Sequence, residues 1–253
     1  EQLVKLVKHQ LNDVSNHQVN AVLDLLDQGN TIPFIARYRK EATGSLDEVQ
    51  ILAIQNEYKR VTTLQDRKQA VLNSIAEQGK LSEKLKAQIT QADKIQDVED
   101  LYLPYKQKRQ TKAMLAKQRG LEPLAAWLMA FKPGNLTAQA SQYVAPEKEV
   151  VTAQDALDGA HEILAETFSE VATIRNWVRN FTMQHGKLVT SVKKKGQEQD
   201  EMGVYEQYYE FEEQLAKLSS YQVLAINRGE KEKVLNVKIQ IDETPILNYL
   251  RFR

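Results

Sequence analysis

The segment from Ser45 to Gln78 decides the fold: SLDEVQILAIQNEYKRVTTLQDRKQAVLNSIAEQ. Along it, apolar residues recur every three or four positions, the spacing that places them on one face of an α-helix. That face comprises Leu46, Val49, Leu52, Ile54, Tyr58, Val61, Leu64, Val71, Leu72 and Ile75. The segment therefore predicts one long helix, and a helix of this length is expected to be a spine against which shorter helices pack.

Two details of this helix follow from its side chains. Ser45 and Glu48 have the spacing of a capping box, in which each side chain bonds the backbone amide of the other residue. Gln65 and Lys68 interrupt the apolar face. The middle of the helix is therefore expected to be less buried than the rest.

Shorter helices are predicted on both sides of the spine, where capping residues, glycine and proline divide the remaining periodic stretches. The predicted ranges are 17–28, 32–40, 83–92, 97–102, 112–119, 124–131, 137–144, 151–170 and 174–184. In the helix over 124–131, Leu124 and Phe131 are both expected on the core face. The last two helices are expected to form an antiparallel hairpin.

The pattern changes after Gly186. Apolar and polar residues alternate over 188–192 and again over 235–241, which predicts two strands. Between them, a helix carrying three tyrosines (Tyr205, Tyr208 and Tyr209) and a short helix over 220–226 are predicted. The expected fold is mainly α: a multi-helix domain over 1–187, followed by a small mixed α/β segment over 188–253.

Composition excludes several classes of protein. The 253 residues include no cysteine, so a disulfide framework and a thiolate metal site are excluded and a reducing, cytoplasmic location is expected. No apolar run approaches the roughly 20 residues that cross a bilayer, so no membrane contact is expected. Because the chain begins with glutamate rather than methionine, we expect a fragment of a longer protein.

The sequence offers little for catalysis. No two of the four histidines lie three or four residues apart, and phosphate-binding glycine loops and nucleophile motifs are missing, so no cofactor, metal or enzyme activity is expected. One alternative function is that of a phosphodiester hydrolase in which Asp97, Glu99 and Asp100 are metal ligands. It is disfavoured because carboxylates within one short helix point in different directions.

Charge is segregated although lysine and arginine balance aspartate and glutamate at 34 each. One candidate nucleic-acid-binding cluster is Arg37, Arg39 and Lys40, on a short helix before a turn and a second helix. These cations would bind phosphates, as in a helix-turn-helix neighbourhood. Alternatively, the arginines would pair with Glu41, Asp47 or Glu48 and set the angle between the helices, and this interpretation is preferred.

The second candidate cluster lies in a predicted loop over 102–112. Its cations would bind phosphates while its tyrosine rings stack on bases. Its members are Tyr102, Tyr105, Lys106, Lys108, Arg109 and Lys112. The alternative, weighed equally, is a solvated loop neutralised by the acids at 97–100.

Two further charged runs are interpreted structurally. Lys193-Lys194-Lys195 follows a strand and is expected to be a solvated turn or a guard on an edge strand. The acidic stretch over 198–213 would dock a basic partner, but an amphipathic helix with its aromatic face buried is preferred.

Three motifs resemble the Tex family of transcription accessory proteins. The first is TIPFIARYRKEATGSLDE over 31–48, the second is DLYLPYK over 100–106 with its continuation to Ala113, and the third is RGLEPLA over 119–125. Weaker likeness covers 156–166 and 224–230, so the resemblance extends through almost the whole chain. It implies a helical N-terminal region with a helix-turn-helix-like element.

The resemblance also implies a function. Family members carry, after such a region, an RNase-H-like domain usually regarded as inactive, helix-hairpin-helix motifs and an OB-fold RNA-binding domain, and the chain is expected to stop before them. It is expected to be a non-enzymatic, nucleic-acid-associated scaffold of the transcription machinery with RNA or DNA backbone as partner. The alternative is a protein-docking module for RNA polymerase or the ribosome.

Overall fold

The computed structural model describes residues 2–252, and helices account for 66% of the chain. The chain divides into two compact units, one ending at Lys106 and the other beginning at Gln107. The mainly α fold with a small sheet near the C-terminus is therefore confirmed. The expected domain boundary near residue 187 stays a prediction.

The first unit contains seven helices among the described residues. They are α1 (Gln2–Gln10), α2 (Asn16–Asp27), α3 (Ile32–Tyr38), α4 (Lys40–Thr43), α5 (Glu48–Glu77), α6 (Glu83–Gln91) and α7 (Ile95–Tyr102). A 3-10 turn over Leu103–Tyr105 follows α7.

Helix α5 is the spine of this unit. Its N-terminal half packs with α1, α2 and α3 around a core that includes the fully buried Ile51 and Ile54. Its C-terminal half packs with α6 and α7 around a second core that includes Ile75 and Ile89. One long helix thus stabilises two groups of short helices, as its apolar periodicity predicts.

The predicted cap of α5 is wrong by two residues. Asp47 is the cap: its side chain accepts a hydrogen bond from the Gln50 amide at 2.8 Å, and the Gln50 side chain accepts one from the Asp47 amide at 3.1 Å. Ser45 has a φ of 65°. A capping residue needs extended backbone, so the left-handed Ser45 cannot serve.

The expectation of a less buried middle of α5 is wrong at Lys68. This lysine is only 7% exposed, and its Nζ donates to the carbonyl of Thr90, near the C-terminus of α6, at 2.8 Å. Burial lowers the pKa of Lys68. A cation at a helix C-terminus satisfies a carbonyl that has no partner within its own helix, which is why a charged residue lies inside this core.

The second unit contains eight helices and three strands within the described part of the chain. They are α8 (Lys112–Gln118), α9 (Glu122–Met129), α10 (Leu136–Ser141), α11 (Ala153–Ser169), α12 (Ala172–His185), β1 (Lys187–Val192), α13 (Gly196–Gln199), β2 (Glu210–Gln214), α14 (Ser220–Lys231), β3 (Leu235–Gln240) and α15 (Thr244–Arg251).

The helices α8 to α11 share one core. Leu121, Leu124, Ala156 and Ala160 are almost completely buried in it. Phe131 was expected in this core but is 91% exposed. Helix α9 ends at Met129, and Phe131 has a φ of 48°, so the helical face does not continue to it.

The sheet has the order β2-β1-β3, and both neighbours of β1 are antiparallel to it. The strands predicted over 188–192 and 235–241 are confirmed, but the tyrosine-rich helix between them is wrong. Tyr208 closes a 3-10 turn, and β2 begins two residues later and pairs Phe211 with Thr190. Acidic residues disfavour strands, so the pairing with β1 rather than the local sequence produces β2.

This sheet has its own core, in which Tyr205, Tyr208, Ile226 and Leu235 are almost completely buried. The acidic stretch over 198–213 therefore buries its tyrosines as expected, although not on a helix. Because β1 is the central strand, the interpretation of Lys193-Lys194-Lys195 as a guard on an edge strand is wrong. Across residues 2–252, no helix is long and apolar enough to cross a membrane.

Candidate nucleic-acid interface

The short helices α3 and α4 hold the first candidate cluster in a fixed turn. Gln18 on α2 organises this turn, because its side-chain nitrogen donates to the Thr43 carbonyl at 3.1 Å while its oxygen accepts from the Ser15 amide. The Thr43 hydroxyl is buried and donates to the Arg39 carbonyl at 3.1 Å. Gly44 ends α4 with a φ of 64°, a conformation that glycine adopts without strain.

The three cations of the turn face solvent. Arg37, Arg39 and Lys40 are exposed and line an open depression. Within residues 2–252, no carboxylate lies within 4.0 Å of any of the three. The preferred interpretation, in which the arginines pair with neighbouring acids, is therefore not what the structure contains.

The acids named in that interpretation, Glu41, Asp47 and Glu48, lie at the N-termini of helices and form no ion pair with the three cations. Asp47 caps α5 through the Gln50 amide. Glu41 and Glu48 are exposed in the first turns of α4 and α5, where a negative charge is favourable. Acids close in sequence are thus not paired with the cations of this turn.

Aromatic rings accompany the three cations. Tyr38 is 65% exposed, and its ring centroid lies 5.2 Å from that of Phe34. The guanidinium of Arg39 lies over the Phe34 ring, 5.1 Å from its centroid. We refer to Phe34, Arg37, Tyr38, Arg39 and Lys40 as the α3–α4 surface. Its two rings were not among the residues predicted from the sequence, although their i and i+4 spacing on one helix was a usable signal.

The second candidate cluster is divided by the structure. Tyr102, Tyr105 and Lys106 belong to the first unit, whereas Lys108, Arg109 and Lys112 belong to the second. The residues from 106 to 111 form no helix or strand, so the predicted loop is confirmed there. The rest of the range 102–112 is helical, since Tyr102 ends α7, Leu103–Tyr105 form a 3-10 turn and Lys112 begins α8. Thr111 caps α8 by accepting from the Met114 amide.

The two tyrosines of this cluster are partly buried and pack against the core of the first unit. The Tyr102 hydroxyl lies 3.0 Å from the Ser74 hydroxyl, and the Arg67 guanidinium lies over its ring, 5.4 Å from the centroid. Tyr105 packs against the same core, and its carbonyl accepts from the Gln78 side chain at 3.0 Å. Neither ring presents two free faces to a base.

The cations of this cluster differ in their partners. Lys108 is ion-paired with Glu170 and lies 3.6 Å from Glu166. Lys112 lies 3.3 Å from Glu162. Because Glu162, Glu166 and Glu170 lie four residues apart on α11, they form one acidic edge that faces these two lysines. The expected neutralisation by acids at 97–100 is thus largely replaced by acids about fifty residues away, which a local reading of charge could not find.

The remaining two cations stay exposed. Lys106 reaches Glu99 only at 4.0 Å. Arg109 has no carboxylate within that distance in the described part of the chain. This cluster therefore offers less unpaired charge than the α3–α4 surface.

Glu99 is held by Arg67, and this pair has a predictable pH dependence. The hydrogen bond from Arg67 lowers the pKa of the Glu99 carboxyl below its ordinary value. A lowered pKa stabilises the folded state above the unfolded pKa of about 4.3, and this stability is lost as the pH falls through the folded value. Glu99→Gln is therefore expected to reduce stability at pH 7 and to make it less sensitive to acid.

The measurement is urea denaturation followed by far-ultraviolet circular dichroism at pH 7, 5 and 3. The difference between the wild type and Glu99→Gln is expected to shrink as the pH falls. A difference that stays constant across the three pH values would contradict the pairing as its cause.

Lys108 provides a second prediction, because its ion pairs identify it as a structural residue. Lys108→Gln removes the charge between two half-buried carboxylates and is expected to destabilise the second unit by about 1–2 kcal/mol. Both tryptophans, Trp127 and Trp177, lie in this unit, so tryptophan fluorescence during urea denaturation measures the effect. Arg109→Gln is the matched control and is expected to change stability by less than about 0.5 kcal/mol.

The residues of the α3–α4 surface lie in a part of the sequence that is similar to known proteins. Residues 1–76 match the model of the Tex-like protein N-terminal domain, and residues 134–248 match the model of the Tex central region. Together the two matches cover most of the chain. This chain belongs to the Tex family.

Relatives extend the match over nearly the whole chain. An uncharacterised protein of Bacillus subtilis, YdcI, is 49% identical over 238 residues, which are 94% of this chain and 33% of that protein. The transcriptional accessory protein Tex of Neisseria gonorrhoeae is 43% identical over 235 residues, 90% of this chain and 30% of that protein. The human S1 RNA-binding domain-containing protein 1 is 31% identical over 228 residues, 88% of this chain and 23% of that protein.

This chain therefore spans about a third or less of the length of these relatives. The α3–α4 surface lies in the Tex-like N-terminal match, whereas the loop over 102–112 lies between the two matched regions. In the described part of the chain, no group of three or more histidine or acidic side chains lies together as a metal site would require.

Proposed function

We propose that this Tex chain is a non-enzymatic part of a transcription accessory protein and that its α3–α4 surface contacts the backbone of RNA or DNA. One observation carries the proposal: three exposed cations without carboxylate partners lie beside two aromatic rings on a turn that Gln18 holds in place. We assign to this arrangement the role of the helix-turn-helix-like element that the family resemblance implies.

The chemistry of the surface suits a nucleic-acid strand. The guanidinium groups of Arg37 and Arg39 offer planar, paired donors that match phosphate oxygens. Lys40 adds a point charge, and the exposed ring of Tyr38 offers a face on which a base stacks. Such contacts give binding that depends on salt and is indifferent to sequence.

The names of two relatives support the proposal. One is called a transcriptional accessory protein and another an S1 RNA-binding domain-containing protein. A role in transcription and an association with nucleic acid are the properties that these names share with our proposal. The exposed Lys106, Arg109 and Lys112 are assigned a weaker, secondary contribution, because two of them have carboxylates nearby.

Fluorescence anisotropy of this chain against a labelled single-stranded RNA, a single-stranded DNA and a duplex tests the proposal. Three phosphate contacts lower log K by about 2.1 per tenfold rise in salt for a single strand. Between 50 and 200 mM salt, the affinity is therefore expected to fall by about 20-fold or more.

Two results would count against it. Absence of binding at 50 mM salt, or an affinity that does not change with salt, would contradict the proposed phosphate contacts. Binding of the chain to purified RNA polymerase without any to nucleic acid would instead favour the protein-docking alternative.

A further inference from the structure

A second concentration of positive charge lies at one end of the sheet in the second unit. Lys193, Lys194 and Lys195 follow β1 directly, and Lys231 and Lys233 flank the end of α14 just before β3. We refer to these five residues as the lysine cluster. Residues 193–195 are three consecutive cations, and this cluster lies inside the match to the Tex central region.

Backbone contacts bring the two parts of the lysine cluster together. β1 pairs with β3 in a register that ends at Val192 and Leu235. The pairing continues one step further, because the Lys193 amide donates to the Val234 carbonyl at 2.9 Å. The segment carrying Lys194 therefore runs beside the turn that carries Lys233.

Gly196 shows how close this approach is. A side chain at residue 196 would overlap the carbonyl oxygen of Val234. Glycine is the residue that permits two backbones to lie at this distance. The two lysine-bearing segments are thus held together by the fold and not by their side chains, which remain available.

Lys233 has a backbone conformation that is unusual for lysine. Lys233 has a φ of 64°, and it closes α14 with the Val234 amide bonded to the Gly229 carbonyl at 3.0 Å. This left-handed position after a helix is usually glycine or asparagine, because other residues are strained there. This conformation ends α14 and turns the chain into β3, so Lys233 lies at the turn that faces the end of β1.

The charge of the cluster is not neutralised internally. Within residues 2–252, no carboxylate lies within 4.0 Å of any of its five ammonium groups. Two acids flank Lys231 in the sequence. Glu232 accepts a hydrogen bond from the Tyr205 hydroxyl at 2.7 Å, and Glu230 is exposed. One cation in the last turn would suffice to complement the dipole of α14, so five lysines exceed that need.

We propose that the lysine cluster binds the phosphodiester backbone of single-stranded nucleic acid, as a contact separate from the α3–α4 surface. Cations presented along a strand end and the adjoining turn match a ligand whose charges repeat along its length. Because the two surfaces share no residue, this proposal and the proposed function are tested by different variants and can fail independently.

The test uses the whole chain and fluorescein-labelled 20-nucleotide oligouridylate and oligothymidylate over a range of salt concentrations. The double variant Lys194→Gln/Lys233→Gln is expected to lower the slope of log K against log salt by about 1.4, or two contacts at about 0.7 each. Comparing the two oligonucleotides separates RNA from DNA as the source of the phosphates. Lys132→Gln/Lys217→Gln is the matched control, since it removes two exposed cations of the same unit.

An unchanged slope in the double variant, or an equal decrease in the control, would overturn the proposal. So would capture of poly-glutamate by the cluster with no affinity for either oligonucleotide, because the ligand would then be an acidic protein segment.

Lys233→Gly separates binding from folding. Glycine relieves the left-handed strain, so the variant is expected to melt at a temperature no lower than the wild type while its salt slope falls by about 0.7. A variant that is more stable and binds oligouridylate with the wild-type slope would show that Lys233 is only a helix-terminating residue.

Discussion

The triple variant Arg37→Gln/Arg39→Gln/Lys40→Gln is expected to bind single-stranded RNA at least about tenfold more weakly than the wild type at 50 mM salt. Each cation is exposed and lacks a carboxylate within 4.0 Å among residues 2–252, so no ion pair competes with a phosphate for it. The salt slope is expected to fall by about 2.1.

The fold should survive this change. None of the three side chains is buried, and the turn is held by Gln18 and Thr43, which the variant keeps. Circular dichroism that matches the wild type would show that lost binding reflects lost contacts. Tyr38 and the lysine cluster also remain, so a residual affinity is expected from stacking and from the second phosphate contact.

Two comparisons make the result specific. Lys5→Gln/Lys59→Gln/Lys80→Gln removes the same charge from dispersed exposed sites of the same unit and is expected to weaken binding much less. Neutralising the four cations of the 102–112 loop is likewise expected to have the smaller effect, because Lys108 and Lys112 already have acidic partners. If the loop variant lost more binding affinity than the triple variant, the main nucleic-acid contact would lie in that loop instead of on the α3–α4 surface.

Gly196→Ala is expected to destabilise the second unit by about 3 kcal/mol. A methyl group at this position would overlap the Val234 carbonyl, and backbone cannot move aside as a flexible side chain does. The hydrogen bond between Lys193 and Val234 and the adjoining end of the β1–β3 ladder would have to open.

Urea denaturation followed by tryptophan fluorescence measures this effect. Gly203→Ala is the control: it has a φ of 65° and only ordinary contacts for an added methyl group, so backbone strain of about 1 kcal/mol is expected. Equal losses in the two variants would mean that the overlap at residue 196 costs no more than the backbone strain at residue 203, which would contradict this prediction. Because this close approach also brings the two parts of the lysine cluster together, Gly196→Ala is expected to weaken nucleic-acid binding as well.

Several features were predictable because they depend on residues close together in sequence. The periodicity of 45–78 predicts α5, the alternation over 188–192 predicts β1, and Thr111 predicts the start of α8. The cap of α5 was less predictable, since Ser45 and Asp47 both have a suitable partner three residues later. The backbone conformation after Gly44 decides between them.

Other features were not predictable because their causes are distant in sequence. Lys68 is buried since a carbonyl of α6 lies beside it, and β2 forms since β1 offers it a partner. The pairing of Lys108 with acids of α11 is of the same kind. Local propensity and local charge contain no information about such partners.

The sequence by itself determined the helical class of this protein, its long spine, its strands β1 and β3 and its family, because periodicity and motifs are properties of neighbouring residues. Only the tertiary structure decided which cations are free. Arg37, Arg39 and Lys40 have acids nearby in sequence but none in contact, whereas Lys108 has its acids more than fifty residues away. An ion pair forms by distance in space, and the fold sets that distance.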